Sequence, residues 1–389
     1  MIFMNKIEEA REIVLKDLRS CYLGNGILAS QVNFSDYWAR DSFWASFGLI
    51  EAGIDLPQVK SSLKLFLDYQ HPNGKIPRKV CLEYNGLKYL GMKIKRKKPR
   101  PIYVSSIRPF FSFDDNLLFV IAFCKYVEKT RDVAFAKEHM EAVNRALAFY
   151  GKKSLVKKSL LCEFGFGNWM DTIFKRGFVL YTNALWYEAV KEFEKLRNTL
   201  GGGKKKEMIP DPSVILDKIN EYFWDSERGY FSDTVRSDGK QQYYFDLAGN
   251  VLAVFFGIAN KEQSGRIFKK IGEIYEMYKG LLHPINHPRY PFWKISPVLF
   301  LFNIQDYQNQ ISWSWIEVLL SGAYTKCGRL KEAEMTLNNL SGLILSHGHI
   351  HETYYLDGRP FDHLFWKSAV PFAWGAGLFL WAVEEHRKA

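Results

Sequence analysis

The chain is predicted to be all-α, an (α/α)6 toroid of about twelve helices, with residues 1–389 forming a single domain. Three observations predict it. Apolar residues recur at helical spacing along nearly the whole chain. The connections between helices alternate short and long almost strictly. No shift in composition marks a second domain.

The first helix, 6–24, runs into a long connection, 25–39, that ends in Asp36-Tyr37-Trp38-Ala39-Arg40-Asp41. Helix 40–53 stops at Gly53-Ile54-Asp55, a short turn into helix 57–70. A second long connection, 71–113, opens with the turn signal His71-Pro72-Asn73-Gly74 and continues with extended residues. Helices 114–130 and 132–150 meet at Thr130-Arg131. The third long connection, 151–182, holds Asn168-Trp169-Met170-Asp171. Helices 183–199 and 212–224 break the alternation, being joined by the flexible stretch Gly201-Gly202-Gly203-Lys204. The fourth long connection, 225–242, reads Glu227-Arg228-Gly229-Tyr230-Phe231-Ser232-Asp233. Helices 243–257 and 260–272 meet at Ala259-Asn260. The fifth long connection, 273–310, holds Tyr290-Pro291-Phe292-Trp293 and runs into Tyr307-Gln308-Asn309-Gln310-Ile311-Ser312-Trp313. Helices 311–326 and 328–346 meet at Cys327-Gly328. The sixth long connection, 347–366, holds His351-Glu352-Thr353-Tyr354-Tyr355 and leads to the last helix, 367–386.

In a closed ring of antiparallel helices, alternate connections lie at opposite ends, so the six long ones share a face. Long loops in a compact domain usually carry function. Six helices separate the Asp171 loop from the Glu352 loop, which places the two acids across the axis of such a ring. Two carboxyl groups facing each other across a Trp-lined pit are what cleavage of a glycosidic bond requires.

Composition limits the alternatives. Aromatic residues make up 16% of the chain, with Trp 11, Tyr 21 and Phe 30, more than a core alone demands. The net charge of +11 is concentrated in Lys93-Ile94-Lys95-Arg96-Lys97-Lys98-Pro99-Arg100, in Lys152-Lys153 with Lys157-Lys158, and in Lys204-Lys205-Lys206. Such runs are read as solvated loops, and no nucleic-acid-binding pattern accompanies them. The five cysteines form no Cys-x-x-Cys pair and suit free thiols in a reducing compartment. No signal peptide or membrane span is expected, and a cytoplasmic location is. His347-Gly348-His349-Ile350-His351 could be weighed as a zinc site, but no second ligand set matches it, so neither metal nor cofactor is expected.

The loop motifs together, over about residues 30 to 385, resemble the (α/α)6-barrel glycoside hydrolases, among them glucoamylases, amylo-1,6-glucosidase domains of glycogen debranching enzymes, processing α-glucosidases and trehalases. Trp38-Ala39-Arg40-Asp41 is similar to the Trp-x-Arg-Asp start of their second helix. Trp169-Met170-Asp171 with Asn183-Ala184-Leu185-Trp186-Tyr187 resembles the debranching-type general-acid segment. Tyr307 to Trp313 resembles the Tyr-His-Asn-Gly-x-x-Trp-Pro loop, departing from it at Gln308, Gln310 and Ser314. Glu352-Thr353-Tyr354-Tyr355, with Phe372-Ala373-Trp374, is similar to the general-base region.

The resemblance implies inversion at the sugar and leaves the substrate open; the leading expectation is an exo-acting hydrolase of an α-glucoside (an oligosaccharide, a limit dextrin or a disaccharide) with a carbohydrate as its partner. Asp171 is the expected general acid, kept protonated by burial beside Trp169 and Met170. Glu352 is the expected general base. Arg40 and Asp41 are expected to hold sugar hydroxyls, although Asp41 could simply cap its helix. Trp38, Trp169, Trp313 and Trp366 are expected to stack on sugar rings or pack in the core. Asp115, Asn183, Trp186 and Gln308 complete the expected contacts, with helix capping open for Asp115. Two alternatives remain: a sugar epimerase on the same barrel using His283, His287, His349 or His351, and a carbohydrate-binding protein without catalysis.

Overall fold

The computed structural model describes residues 2–32, 34–84, 94–104, 111–202, 208–364 and 366–389. The expected cluster Lys204-Lys205-Lys206 and the first residue of the basic run, Lys93, lie outside the described residues. All twelve expected helices form: α1 Ile2–Ser20, α2 Ala39–Ala52, α3 Leu56–Asp68, α4 Asp114–Thr130, α5 Val133–Lys152, α6 Leu180–Thr199, α7 Pro212–Phe223, α8 Leu247–Phe255, α9 Lys261–Tyr278, α10 Ser314–Lys326, α11 Leu330–His347 and α12 Ala373–Lys388. Two further short helical segments, a 3-10 turn at Phe292–Lys294 and a turn of α-helix at Pro297–Leu301, lie within the fifth long connection.

The even helices close the inner ring. α2 packs on α4, α4 on α6, α6 on α8, α8 on α10, α10 on α12, and α12 returns to α2. Their sequences explain this placement. Every residue of α8 is buried, as is α12 from Ala373 to Val383; a helix apolar on all sides belongs inside. Outer helices bury a single stripe, as α3 does with Val59, Ser62, Leu63 and Phe66.

Inner-to-outer turns are short because inner helices end on residues that accept left-handed geometry. Gly53 closes α2 at φ 72°, and Arg131 closes α4 at φ 57°. Asn260 opens α9 with a capping box to Gln263.

α2 and α12 approach through glycine. A Cβ on Gly48 would lie 2.0 Å from the Gly377 carbonyl oxygen, and one on Gly377 would lie 2.6 Å from that of Ala45. Only a residue without a side chain fits at either position. Along the axis, Trp44 of α2, Trp315 of α10 and Trp374 of α12 form a plug, with Trp315 and Trp374 stacked at 4.3 Å and Trp44 and Trp374 at 5.9 Å.

The long connections differ from the all-helical expectation. They carry small antiparallel sheets. One has five strands in the order Gln241–Gln242, Thr234–Val235, Lys175–Val179, Leu160–Gly165, Val156–Lys157. A second joins Tyr37–Trp38, Lys79–Glu83 and Lys95–Ile102. A third pairs Ser312–Trp313 with Thr353–Tyr354. Most of these strands span two residues, and the longest, Lys95–Ile102, is basic and proline-containing with no apolar alternation to read. Helix ends move for related reasons. The expected helix 6–24 stops at Ser20 because residues 22–27 turn back as a hairpin around Gly24, at φ 51°. The last helix starts at Ala373 rather than 367. Among the described residues, no helix is long and apolar enough to cross a membrane.

Candidate active site

The N-terminal ends of the inner helices and the long connections above them enclose a cavity of about 220 Å³. Phe34, Trp38, Arg40, Asp41, Trp169, Asp171, Thr172, Gln308, Trp313, Glu352 and Trp366 line it, and the indole of Trp374 does so from the axial plug.

Glu352 is fixed by its backbone before its side chain is considered. Trp313 pairs in register with Thr353, the next residue. The Ser314 N–H donates to the Glu352 carbonyl at 3.1 Å, and the Glu352 N–H donates to that of Ala369 at 2.9 Å. The side chain is buried, and the Tyr307 hydroxyl donates to Oε1 at 2.9 Å. Burial pushes its pKa up to about 8, against the hydrogen bond from Tyr307, which favours the charged form; nearby Asp41 adds to the rise.

Asp41, in the first turn of α2, also has its pKa pushed up, to about 7, by loss of water, with Arg40 opposing. Arg40 donates from Nε to Asp114 at 2.8 Å and from Nη2 to the Asn168 carbonyl at 3.2 Å. It therefore joins α2 and α4 to the loop that carries Asp171.

That loop is tied down on several sides. The Asn168 side chain accepts from the Met170 N–H at 2.9 Å and donates to Glu163 at 3.0 Å. Gln308 reaches across from the fifth connection, accepting from the Thr172 N–H at 2.8 Å and donating to the Trp169 carbonyl at 2.5 Å. Below it, Lys175 pairs with Asp233 at 2.6 Å, and the Tyr290 hydroxyl donates to the same carboxylate at 2.6 Å. This buried network fastens strand Lys175–Val179 to the fourth and fifth connections.

The expectation that Asp171 is buried needs correction. Trp169 and Met170 are buried, but the Asp171 side chain is 28% exposed and forms an ion pair with Arg78 at 2.7 Å. Of the two acids it is Glu352 that is buried.

Eight of the expected sugar contacts and acids reach the cavity together: Trp38, Arg40, Asp41, Trp169, Asp171, Trp313, Glu352 and Trp366. Gln308 also lines it, but its amide is engaged in positioning the Asp171 loop. Three others do not line the cavity. Asp115 lies beneath it in a buried pair with Lys75 at 3.1 Å. Asn183 binds both the N–H and the carbonyl of Leu161, pinning a strand to α6. Trp186 is in the core and donates to the Ser159 carbonyl at 3.1 Å. Each belongs to a motif in sequence yet is buried with its partners outside the cavity.

Sequence reasoning overlooked Arg78, although it closely follows the turn at Asn73-Gly74, and did not assign Tyr307 a role of its own. The histidines considered for epimerisation are all elsewhere. His283 meets Glu317 at 2.9 Å, His287 meets the Tyr278 hydroxyl at 3.3 Å, and His349 meets Asp17 at 2.7 Å. His351 is held neutral, its pKa pushed down to about 4 by burial and by His347. Among the described residues no cluster of His, Cys, Asp and Glu has the arrangement of a metal site.

A barrel of this topology with two acids and a belt of tryptophans at one mouth defines a glycoside hydrolase of the (α/α)6 class. The chain belongs to the glycosyl hydrolase 94 superfamily, whose catalytic domain matches residues 96–342. No curated protein matches the sequence. Solved structures share the fold at low identity. The GH63 mannosylglycerate hydrolase from Thermus thermophilus, in complex with Tris and D-glycerate, superposes with a TM-score of 0.70 at 16% identity, covering 96% of this chain and 99% of that one. A rhamnosidase from Klebsiella oxytoca with rhamnose bound gives 0.66 at 13% identity, covering 97% of this chain and 63% of that one. A glycosidase variant in complex with glucose gives 0.69 at 12% identity, covering 99% and 98%.

Proposed function

We propose that the enzyme is an inverting, exo-acting, cytoplasmic glycosidase that releases glucose from an α-glucoside, with residues 1–389 acting as one catalytic unit. The observation that carries this reading is that Asp171 and Glu352 line one small cavity whose inner wall includes Trp374 of the axial plug. A pit of this kind admits a terminal sugar and leaves the rest of the substrate outside.

In the proposed reaction a water is activated by Glu352, which takes its proton as the water oxygen bonds to the anomeric carbon. The glycosidic bond breaks on the opposite face, and Asp171 gives its proton to the departing oxygen. Arg40 and Asp41 offer donors and acceptors to the sugar hydroxyls. Trp38, Trp169, Trp313 and Trp366 supply apolar faces.

The test follows the anomer released, by NMR, from maltose, isomaltose, trehalose, sucrose, panose and limit dextrin. Wild type is expected to give β-glucose first, and Asp171→Asn and Glu352→Gln to release it at least about a hundredfold more slowly. Early appearance of α-glucose from sucrose, panose or limit dextrin, whose leaving groups are not glucose, would sink inversion.

The base has its own signature. It acts only when ionised, so kcat/KM should rise with pH through the Glu352 pKa, near 8 in the empty site. Tyr307→Phe removes a hydrogen bond that favours the carboxylate. The ascending limb is therefore expected to move to higher pH, with about tenfold lower activity below it for each unit of displacement. A limb that stays in place would remove Tyr307 from the tuning of Glu352.

A further inference from the structure

Arg78 stands in the way of the mechanism just proposed. Its Nη2 lies 2.7 Å from Asp171 Oδ2, its side chain is only 13% exposed, and its guanidinium sits 5.5 Å from the centre of the Trp38 ring. While the pair stands, Asp171 serves as a counter-ion, and donating a proton requires the neutral acid. Releasing Asp171 alone would strand a guanidinium in a largely covered position. A second anion resolves both difficulties. It can occupy the planar fork of Arg78 and free the carboxyl to hold its proton.

The surroundings favour such an anion. Lys79 and Cys81 on the Arg78 side of the second sheet lie opposite Ile102 and Arg100 of strand Lys95–Ile102, whose Lys95, Lys97, Lys98 and Arg100 are exposed. Lys79 itself is taken by Asp36 at 2.8 Å, so it does not compete for the ligand. These bases, in a chain of net charge +11, would draw small anions to the protein.

We infer that the leaving group carries a carboxylate or phosphate, which displaces Asp171 from Arg78 as the substrate enters. The anion belongs to the leaving group because Asp171 protonates the departing oxygen; to that extent the inference rests on the role proposed above.

Binding tests it without turnover. D-glycerate, glycerol 3-phosphate and glycerol share a three-carbon skeleton and differ in charge. Titration calorimetry on the wild type is expected to show one or both anions binding at least tenfold more tightly than glycerol, and which anion does so tells carboxylate from phosphate. Arg78→Met should erase the preference and Arg78→Lys should retain part of it. The inference is overturned if neither anion exceeds glycerol, or if Arg78→Met, with unchanged melting, keeps the preference. Anion binding together with no hydrolysis of the neutral panel or of the glucosides of D-glycerate and glycerol 3-phosphate would sink the hydrolytic reading alone. Hydrolysis of neutral glucosides without anion binding would sink this inference alone.

Discussion

Glu352→Gln is expected to lose roughly a hundredfold to ten-thousandfold in turnover and, at the same time, to melt higher than wild type at pH 8. Both follow from one carboxyl group. A general base needs its charge, whereas burial disfavours it and pushes the pKa up to about 8 from an ordinary value of 4.5. Between those values the folded protein holds a proton that the unfolded chain has released, so stability falls as pH rises. The slope is about 1.4 kcal/mol per pH unit for one proton. Glutamine is neutral at every pH and escapes the penalty. Melting curves from pH 5 to pH 8 should therefore diverge, with the variant ahead at the alkaline end. Parallel curves would show that Glu352 carries no such burden.

Lys175→Met is expected to destabilise the protein by about 3–5 kcal/mol. Both members of the Lys175–Asp233 pair are buried, at 1% and 0% side-chain exposure. Asp246, close by, already has its pKa pushed up to about 7, chiefly by burial and against the pull of Lys175. Methionine keeps the length of the stem but leaves carboxylates without their cation. Adding Asp233→Asn should restore part of the loss, since the uncompensated charge causes most of it. Urea unfolding of the single and double variants measures both. A loss below about 1 kcal/mol for the single change would mean that solvent reaches the pair.

The helices were legible because burial writes itself into sequence as periodicity, and inner helices such as α8 and α12 are apolar on every side. The shared face of the long connections followed from their alternation, and with it the meeting of Asp171 and Glu352 in one cavity. What stayed hidden depends on contacts distant in sequence. Arg78 pairs with a residue in the next long connection, and Tyr307 with one in the last. No local pattern records either contact. Asp115, Asn183 and Trp186 misled because a motif gives position along a helix but not which way the side chain turns. Most strands were too short to read, and the longest, Lys95–Ile102, is a run of basic residues and prolines without alternation.

The glycine seam between α2 and α12 has a kinetic meaning. Gly48 and Gly377 must find each other across almost the entire chain, and contacts of such separation form slowly because the intervening loop has to be closed first. The Asp171 loop leads into α6 and the Glu352 loop into α12, so the two sides of the cavity take their final positions only when this seam shuts. An incomplete ring can hold most of the helices and still have no working mouth, which makes recovery of activity during refolding a direct clock for ring closure.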